Sequence, residues 1–114
     1  MPRYQYVVLA RAVEGREAEF DAWYDGQHLA DVKKVAGVVR ARRFNVVFQK
    51  VYALALPGYH SMAIYEIETD DPEAFLAGIA KLSGTAAMPQ SDAMTKDGLI
   101  QIVGLAPGDD PQQS

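Results

Sequence analysis

Apolar and polar positions along the chain alternate with two different periods, and the changes of period mark out the elements. Residues 4–12 (YQYVVLARA) are rich in β-branched and aromatic side chains and predict a strand. Val7 and Leu9 fall on one face, and Tyr6, Val8 and Ala10 on the other. Both faces are apolar, so both are expected to be covered. Acidic residues at Glu14 and Glu17 then open a helix, where the dipole favours them. Phe20, Trp23, Tyr24 and Gln27 form its inward stripe. The next apolar set, Leu29, Val32 and Val35, is rotated by roughly a third of a turn at about 100° per residue, so one straight helix does not bury both sets. A break or kink is therefore expected at 26–28, where Gly26 weakens the helix.

Gly37 is a C-cap candidate for this region. Residues 38–48 (VVRARRFNVVF) predict a second strand, with Arg40 and Arg42 on one face and Arg43 on the other. Residues 49–59 form an extended connection with a turn at Pro57 and Gly58. Residues 60–68 (HSMAIYEIE) are a third strand. Asp70, Asp71, Pro72 and Glu73 then combine an N-cap, a proline at the first helical position and an acidic first turn. Phe75, Leu76, Ile79 and Leu82 supply the core stripe of this second helix. Residues 83–98 lack clear periodicity and predict a long, mobile loop bordering a pocket. Residues 99–105 (LIQIVGL) are the fourth strand, and 106–114 a flexible tail.

The order β-α-β-β-α-β is the split βαβ arrangement of a ferredoxin-like α+β fold, here a single domain over residues 1–105. Helices on one face of a four-stranded antiparallel sheet leave the other face bare. With both faces of the strands apolar, a lone sheet would expose a large hydrophobic patch. Pairing two sheets face to face in a homodimer removes it.

Composition narrows the function. The chain has 114 residues and 49% hydrophobic content, ordinary for a globular protein. A chain of this size buries only about two-thirds of its extended surface, so a second subunit helps it. Net charge is −4, with nine Lys/Arg against six Asp/Glu in residues 1–50 and two against nine in 51–114. An acidic total argues against nucleic-acid binding, which requires a basic surface. No apolar run approaches a membrane span and the N-terminus has no signal architecture, so a cytoplasmic location is expected. With no Cys, neither a thiolate metal site nor a thiol nucleophile exists. Two well-separated His residues make a metal site weak. No metal and no cofactor are expected.

The segment 20–29 (FDAWYDGQHL) holds the only Trp, a Tyr and one of the two His residues, just before the Arg-rich second strand. Phe20, Trp23, Tyr24, His28, Val32, Gly37 and Val38, followed by residues 41–44 (ARRF) and 62–68 (MAIYEIE), resemble EthD-like members of the dimeric α+β-barrel superfamily. The resemblance covers roughly residues 4–105. That superfamily includes antibiotic-biosynthesis monooxygenases, polyketide cyclases, muconolactone isomerases and haem enzymes of the chlorite-dismutase kind. The resemblance implies a homodimer joined through its sheet faces, with a pocket between helices and sheet in each subunit. It implies no particular reaction, since such scaffolds host many chemistries. A haem site here would rest on one His alone.

His28 is the first catalytic candidate, because imidazole moves protons near neutral pH. Asp25 and Asp31, three residues to either side, are placed to orient it or raise its basicity. The alternative role is a cap or bridge at the broken helix. Tyr24 and Arg43 complete the catalytic set as groups that polarise a substrate oxygen. For Arg43 the competing role is a solvated edge or an intersubunit ion pair. Trp23, Asp31 and Tyr65 are candidates for binding the substrate, against the plain alternative that an aromatic stripe is core. His60, on the opposite face from Tyr65, is expected at the surface. Two functions remain open. One is cofactor-independent proton-transfer chemistry on an aromatic or polyketide-like molecule: isomerisation, cyclisation, dehydration or O₂ addition. The other is a non-catalytic module that binds a small apolar or aromatic ligand in a degradative pathway.

Overall fold

The computed structural model describes residues 1–52 and 58–109. Strands β1 (Arg3–Ala12), β2 (Val38–Asn45), β3 (Ser61–Glu68) and β4 (Met94–Gly104) form one antiparallel sheet in the order β2-β3-β1-β4. Helices α1 (Glu17–Trp23), α2 (Leu29–Lys33) and α3 (Pro72–Leu82) occupy the two crossovers, with a π-helical turn, Tyr24–His28, joining α1 to α2. This is the ferredoxin-like α+β arrangement that the order of periods predicts.

Alternation decides which side chains meet the helices. On β1, Tyr6, Val8 and Ala10 are buried, and on β3, Ser61, Ala63, Tyr65 and Ile67. They pack against Phe20, Tyr24 and Val32 from the first helical region and Ile79 from α3. The opposite face carries Val7, Leu9, Met62 and Ile64, partly buried, and Ile102, 53% exposed. Arg3 bridges Glu66 and Glu68 across that face.

Several boundaries differ from expectation. Strand β2 stops at Asn45 rather than residue 48, because its partner β3 begins at Ser61, opposite Asn45. Beyond that pair Val47 and Phe48 are 95% and 81% exposed despite their β propensity. Strand β4 starts at Met94, five residues earlier than the sequence suggests. From Thr95 to Ile100 it advances five positions while β1 advances two, from Leu9 to Arg11. This irregularity hides the strand's period. The connection after α3 is correspondingly shorter, and it is anchored. Met88 and Ala93 are buried, Val13 N–H donates to Ala93 O at 2.6 Å, and Arg16 holds Asp92 at 2.7 Å. Pro107–Asp109 forms a turn of 3-10 helix where a tail is expected. Residues 110–114, and the expected turn at Pro57, lie outside the described residues.

The start of α3 follows its sequence signals. Asp71 is extended at φ −143°, its Oδ1 accepts from Ala74 N–H at 3.0 Å, and Pro72 takes the first helical position. Gly37, expected as a C-cap, lies four residues beyond α2, whose C-cap is Lys34. It takes the left-handed region at φ 97° and presses against β3, where an added Cβ would lie 2.7 Å from the Glu68 carbonyl oxygen. Its own carbonyl accepts from Glu68 N–H at 2.7 Å, so neither backbone is free to retreat. Gly78, in the middle of α3, has open space where its Cβ would be. Opposite outcomes are therefore expected for one substitution. Gly37→Ala should destabilise by roughly 2 kcal/mol through strain and the carbonyl clash, while Gly78→Ala should stabilise by up to about 1 kcal/mol through helix propensity. Urea unfolding of the two variants beside the parent checks this; equal shifts would contradict the tight contact at Gly37.

Candidate functional site

Positions 20, 24, 28 and 32 drift by about 40° at each four-residue step of a regular α-helix. The wide turn absorbs that drift. Leu29 N–H reaches back five residues to the Tyr24 carbonyl, and the next α-helical stretch resumes in a new phase. Phe20, Tyr24 and Val32 are thereby buried on one face with His28 beside them, while Gln27, expected on the inward stripe, is exposed. The expected break is thus an expanded turn in a continuous helical region, and His28 takes the inward position.

The wide turn is held from β2 by Arg43, whose side chain is 4% exposed. Its Nε and Nη2 donate to the two Asp25 carboxylate oxygens at 2.7 and 2.8 Å, and Nη2 lies 3.2 Å from Asp21. Nη1 donates to Asn45 Oδ1 at 2.8 Å and to Ser61 Oγ at 3.3 Å. The hydrogen bond from Arg43 holds the Asp25 carboxyl below the usual carboxylate range. His60 Nε2 meets Asp21 at 2.7 Å, and its ring lies edge-on to Phe20 at 5.2 Å. His60 therefore joins the helix to the sheet, rather than lying free at the surface as expected. The alternation of β3 does not extend to it, since the strand begins one residue later.

On the inner side lies a cavity of about 320 Å³. Tyr24, His28 and Val32 line it from the helical region, Leu76 and Ile79 from α3, and Tyr65 and Tyr6 from the sheet. Two of its three buried phenols, Tyr24 and Tyr65, share a hydrogen bond at 2.5 Å. A hydroxyl pair has two protons and uses one between its oxygens, so the second remains available to donate. Burial raises both phenols well above their ordinary pKa, chiefly by desolvating the phenolate. Tyr6 stacks on Tyr65 at 5.4 Å, and its oxygen accepts from Gln101 Nε2 at 2.8 Å.

His28 is clamped between aromatic rings, stacked on Trp23 at 4.6 Å and edge-on to Tyr24 at 4.7 Å. Burial lowers its pKa from 6.5 to about 4, and the attraction of Asp31 offsets this only in part. The imidazole is therefore neutral at pH 7 and less basic than usual, the reverse of the gain in basicity expected from the flanking carboxylates. Asp25 is engaged by Arg43 instead. Nδ1 of His28 and Oδ2 of Asp31 are both buried without a hydrogen-bond partner among the described residues.

The predicted site residues separate into two groups. His28, Tyr24 and Tyr65 meet at the cavity wall. Arg43 lies behind Tyr24, 5.7 Å from its ring centre, with its donors taken by Asp25, Asn45 and Ser61. Trp23 backs His28 and donates its indole N–H to the Pro89 carbonyl at 3.1 Å. Asp31 is partly buried on α2 and acts on His28 through its charge. Tyr6, Gln90, Lys96 and Gln101 line the cavity without having been singled out. Tyr6 shares a face of β1 with Val8, but both faces of that strand are apolar, so alternation alone does not say that this one is inward. Lys96 and Gln101 straddle the irregular part of β4, and alternation alone does not place both on one face. Among the described residues no group of three or more His, Asp or Glu gathers as metal ligands do. No helix among them is long and apolar enough to cross a membrane.

No family model matches the sequence, and no curated protein sequence does. The structure is similar to that of an EthD family protein from Bacillus halodurans, with a TM-score of 0.54 at 14% sequence identity. The match covers 91% of this chain and 98% of that one. The chain has an EthD-like fold.

The His28 environment sets a pH dependence. An imidazole whose pKa falls from 6.5 to about 4 on folding leaves the extra proton on the unfolded chain between those values. Its contribution is thus fully present above pH 6.5 and is lost as pH drops towards 4, by up to about 3 kcal/mol. An NMR titration of the native protein should place the His28 midpoint near 4. Urea unfolding from pH 7 to 4 should show a weaker pH dependence in His28→Gln than in the parent. A native midpoint above 6, or identical pH profiles, would overturn this assignment.

Proposed function

We propose that the cavity takes a small aromatic or polyketide-like carbonyl compound and that His28 moves a proton on it without a cofactor. The observation that carries this reading is the convergence on one cavity wall of a neutral imidazole and a phenol pair with a spare proton. In this reading the proton sits on Nδ1, the tautomer that the negative charge of Asp31, three residues on, would favour, although the two side chains share no hydrogen bond. Nε2 then carries the lone pair. In the forward step Nε2 takes a proton from the carbon beside the carbonyl, and the C–H electron pair moves into an enolate. The free hydroxyl proton of the Tyr24–Tyr65 pair hydrogen-bonds to the enolate oxygen, where charge builds up. Return of the proton to a different carbon completes an isomerisation. Alternatively the enolate carbon attacks a second carbonyl, whose π electron pair moves onto its oxygen, and that oxygen takes the proton back from Nε2 to complete a cyclisation. A base with a pKa near 4 is always in its acceptor form at neutral pH, but it is weak. It suits carbon acids that are already activated, as in polyketide-like chains. Arg43 acts as a positioning residue that holds the wide turn through Asp25, and Trp23 orients the imidazole by stacking.

Deuterium exchange at C1 of 2-tetralone in D₂O tests the chemistry by NMR. The protein should accelerate exchange over buffer. His28→Gln should slow the accelerated rate roughly 10²–10⁴-fold, and Tyr24→Phe should lower it with the melting temperature little changed. If 2-tetralone binds and exchange stays at the buffer rate, the cavity is that of a non-catalytic binding module.

The bare sheet face supports a homodimer, also a proposal. Val7, Leu9, Met62, Ile64, Ile100 and Ile102 form an apolar field across β3, β1 and β4, which soluble proteins cover. Light scattering after gel filtration at micromolar concentration should give about twice 12.5 kDa. A clean monomer would exclude the sheet-to-sheet pairing.

A further inference from the structure

The cavity wall carries an uneven charge. Among the described residues that line it there is no Asp or Glu, although the chain has 15 acidic residues and a net charge of −4. Among them the one fixed cation is Lys96. Its side chain is exposed, and among the described residues it makes no salt bridge and no hydrogen bond. Every other polar group in the lining is uncharged at neutral pH: the three phenols, Ser83, Gln90, Gln101 and the imidazole with its depressed pKa.

Local backbone structure brings this lysine to the cavity. Met94 precedes the irregular part of β4, Lys96 and Leu99 stand at its two ends and Gln101 follows it, yet all four line the cavity. In an uninterrupted strand, even and odd positions face opposite sides. The extra residues around Gly98, which has φ 74°, reverse the parity, so Lys96 and Gln101 share a face. Such bulges re-aim side chains next to binding sites. The Gly98 turn is in turn held in place, since Tyr59 donates its hydroxyl to the Gly98 carbonyl at 2.7 Å and Arg11 donates to the Asp97 carbonyl at 3.4 Å. The cavity reaches from Tyr65 on β3 across Tyr6 on β1 to β4, two strand spacings or about 10 Å. That width accommodates a ring system with a polar substituent at its β4 end.

We infer that the ligand of this cavity is an organic anion, an aromatic or polyketide-like carboxylate whose carboxylate is held by Lys96 while its ring system lies along Tyr6, Leu76, Ile79 and Leu99. The inference rests on the cavity being the ligand site, and it adds the charge of the ligand. A carboxylate would meet no repelling acid in the lining, whereas a cationic ligand would find no counter-charge there. Gln90 and Ser83 add neutral hydrogen-bonding groups to the same wall.

The probes are 2-naphthoate and its neutral analogue 2-naphthamide, titrated calorimetrically at pH 7.5 into the full chain. The parent should bind naphthoate about fivefold more tightly than naphthamide, the scale of a solvent-exposed ion pair. That preference should shrink as salt is raised. It should disappear in Lys96→Met and reverse in Lys96→Glu, with naphthamide affinity nearly unchanged in both. Lys96 is exposed, so both variants should keep the parent's melting temperature. If naphthamide binds as well as naphthoate in the parent, or the preference survives Lys96→Met, the anion inference is overturned while the cavity reading stands. If neither probe binds the parent, the cavity reading itself falls and the inference with it.

Discussion

The wide helical turn from Tyr24 to His28 is the constraint on which the rest of the site depends. Without it, residues spaced four apart would wind away from the sheet, and Tyr24, His28 and Val32 would not share a wall. The expanded turn is held from β2 by a single guanidinium packed against Phe20 and Tyr24. Arg43 grips Asp25 with two hydrogen bonds, approaches Asp21, and ties both to β2 and β3 through Asn45 and Ser61. The fork geometry of arginine suits this role, because one planar group satisfies several acceptors at fixed angles. A salt bridge to the helix thereby sets the register of its aromatic groups.

The same packing sets the acid–base character of the cavity. Burial acts on the two residue types in opposite senses, and in both cases it favours the neutral form. It lowers the pKa of His28 and raises those of Tyr24 and Tyr65. A neutral acceptor and neutral donors then face one space. The exception is Lys96, placed by an irregular strand at the β4 side of the wall. Most of the negative charge of the chain sits elsewhere, for instance where Arg3 meets Glu66 and Glu68 on the other face of the sheet.

The likeness to an EthD family protein at 14% identity belongs to the backbone, and a backbone does not specify a reaction. A reaction depends instead on the side chains set on that frame. His28 sandwiched by Trp23 and Tyr24, a phenol pair, and a cavity free of acids are properties of residues rather than of topology.

Local signals in the chain were enough to determine the order of elements, the division of β1 and β3 into two alternating faces, the capped start of α3 at Asp71 and the disturbance in the first helix. Each depends on the period of a few neighbouring residues or on the conformational limits of Pro and Gly. The meeting of His28 with Tyr24 was legible for the same reason, since both lie on one short segment. With both faces of β1 and β3 apolar, only the packing of the helices decided that Tyr6, Val8, Ala63 and Tyr65 face inward. Pairing decided the rest. Strand β2 ends where β3 offers no further partner, so the β propensity of Val47 and Phe48 has no ladder to join. Strand β4 begins within apparently aperiodic sequence, because hydrogen bonds to β1 tolerate an insertion that destroys alternation. His60 and Arg43 turn to the helical region because Asp21 and Asp25 wait there, 39 and 18 positions away in the chain. Such partners are chosen by distance in space, which a pattern read along the chain does not contain.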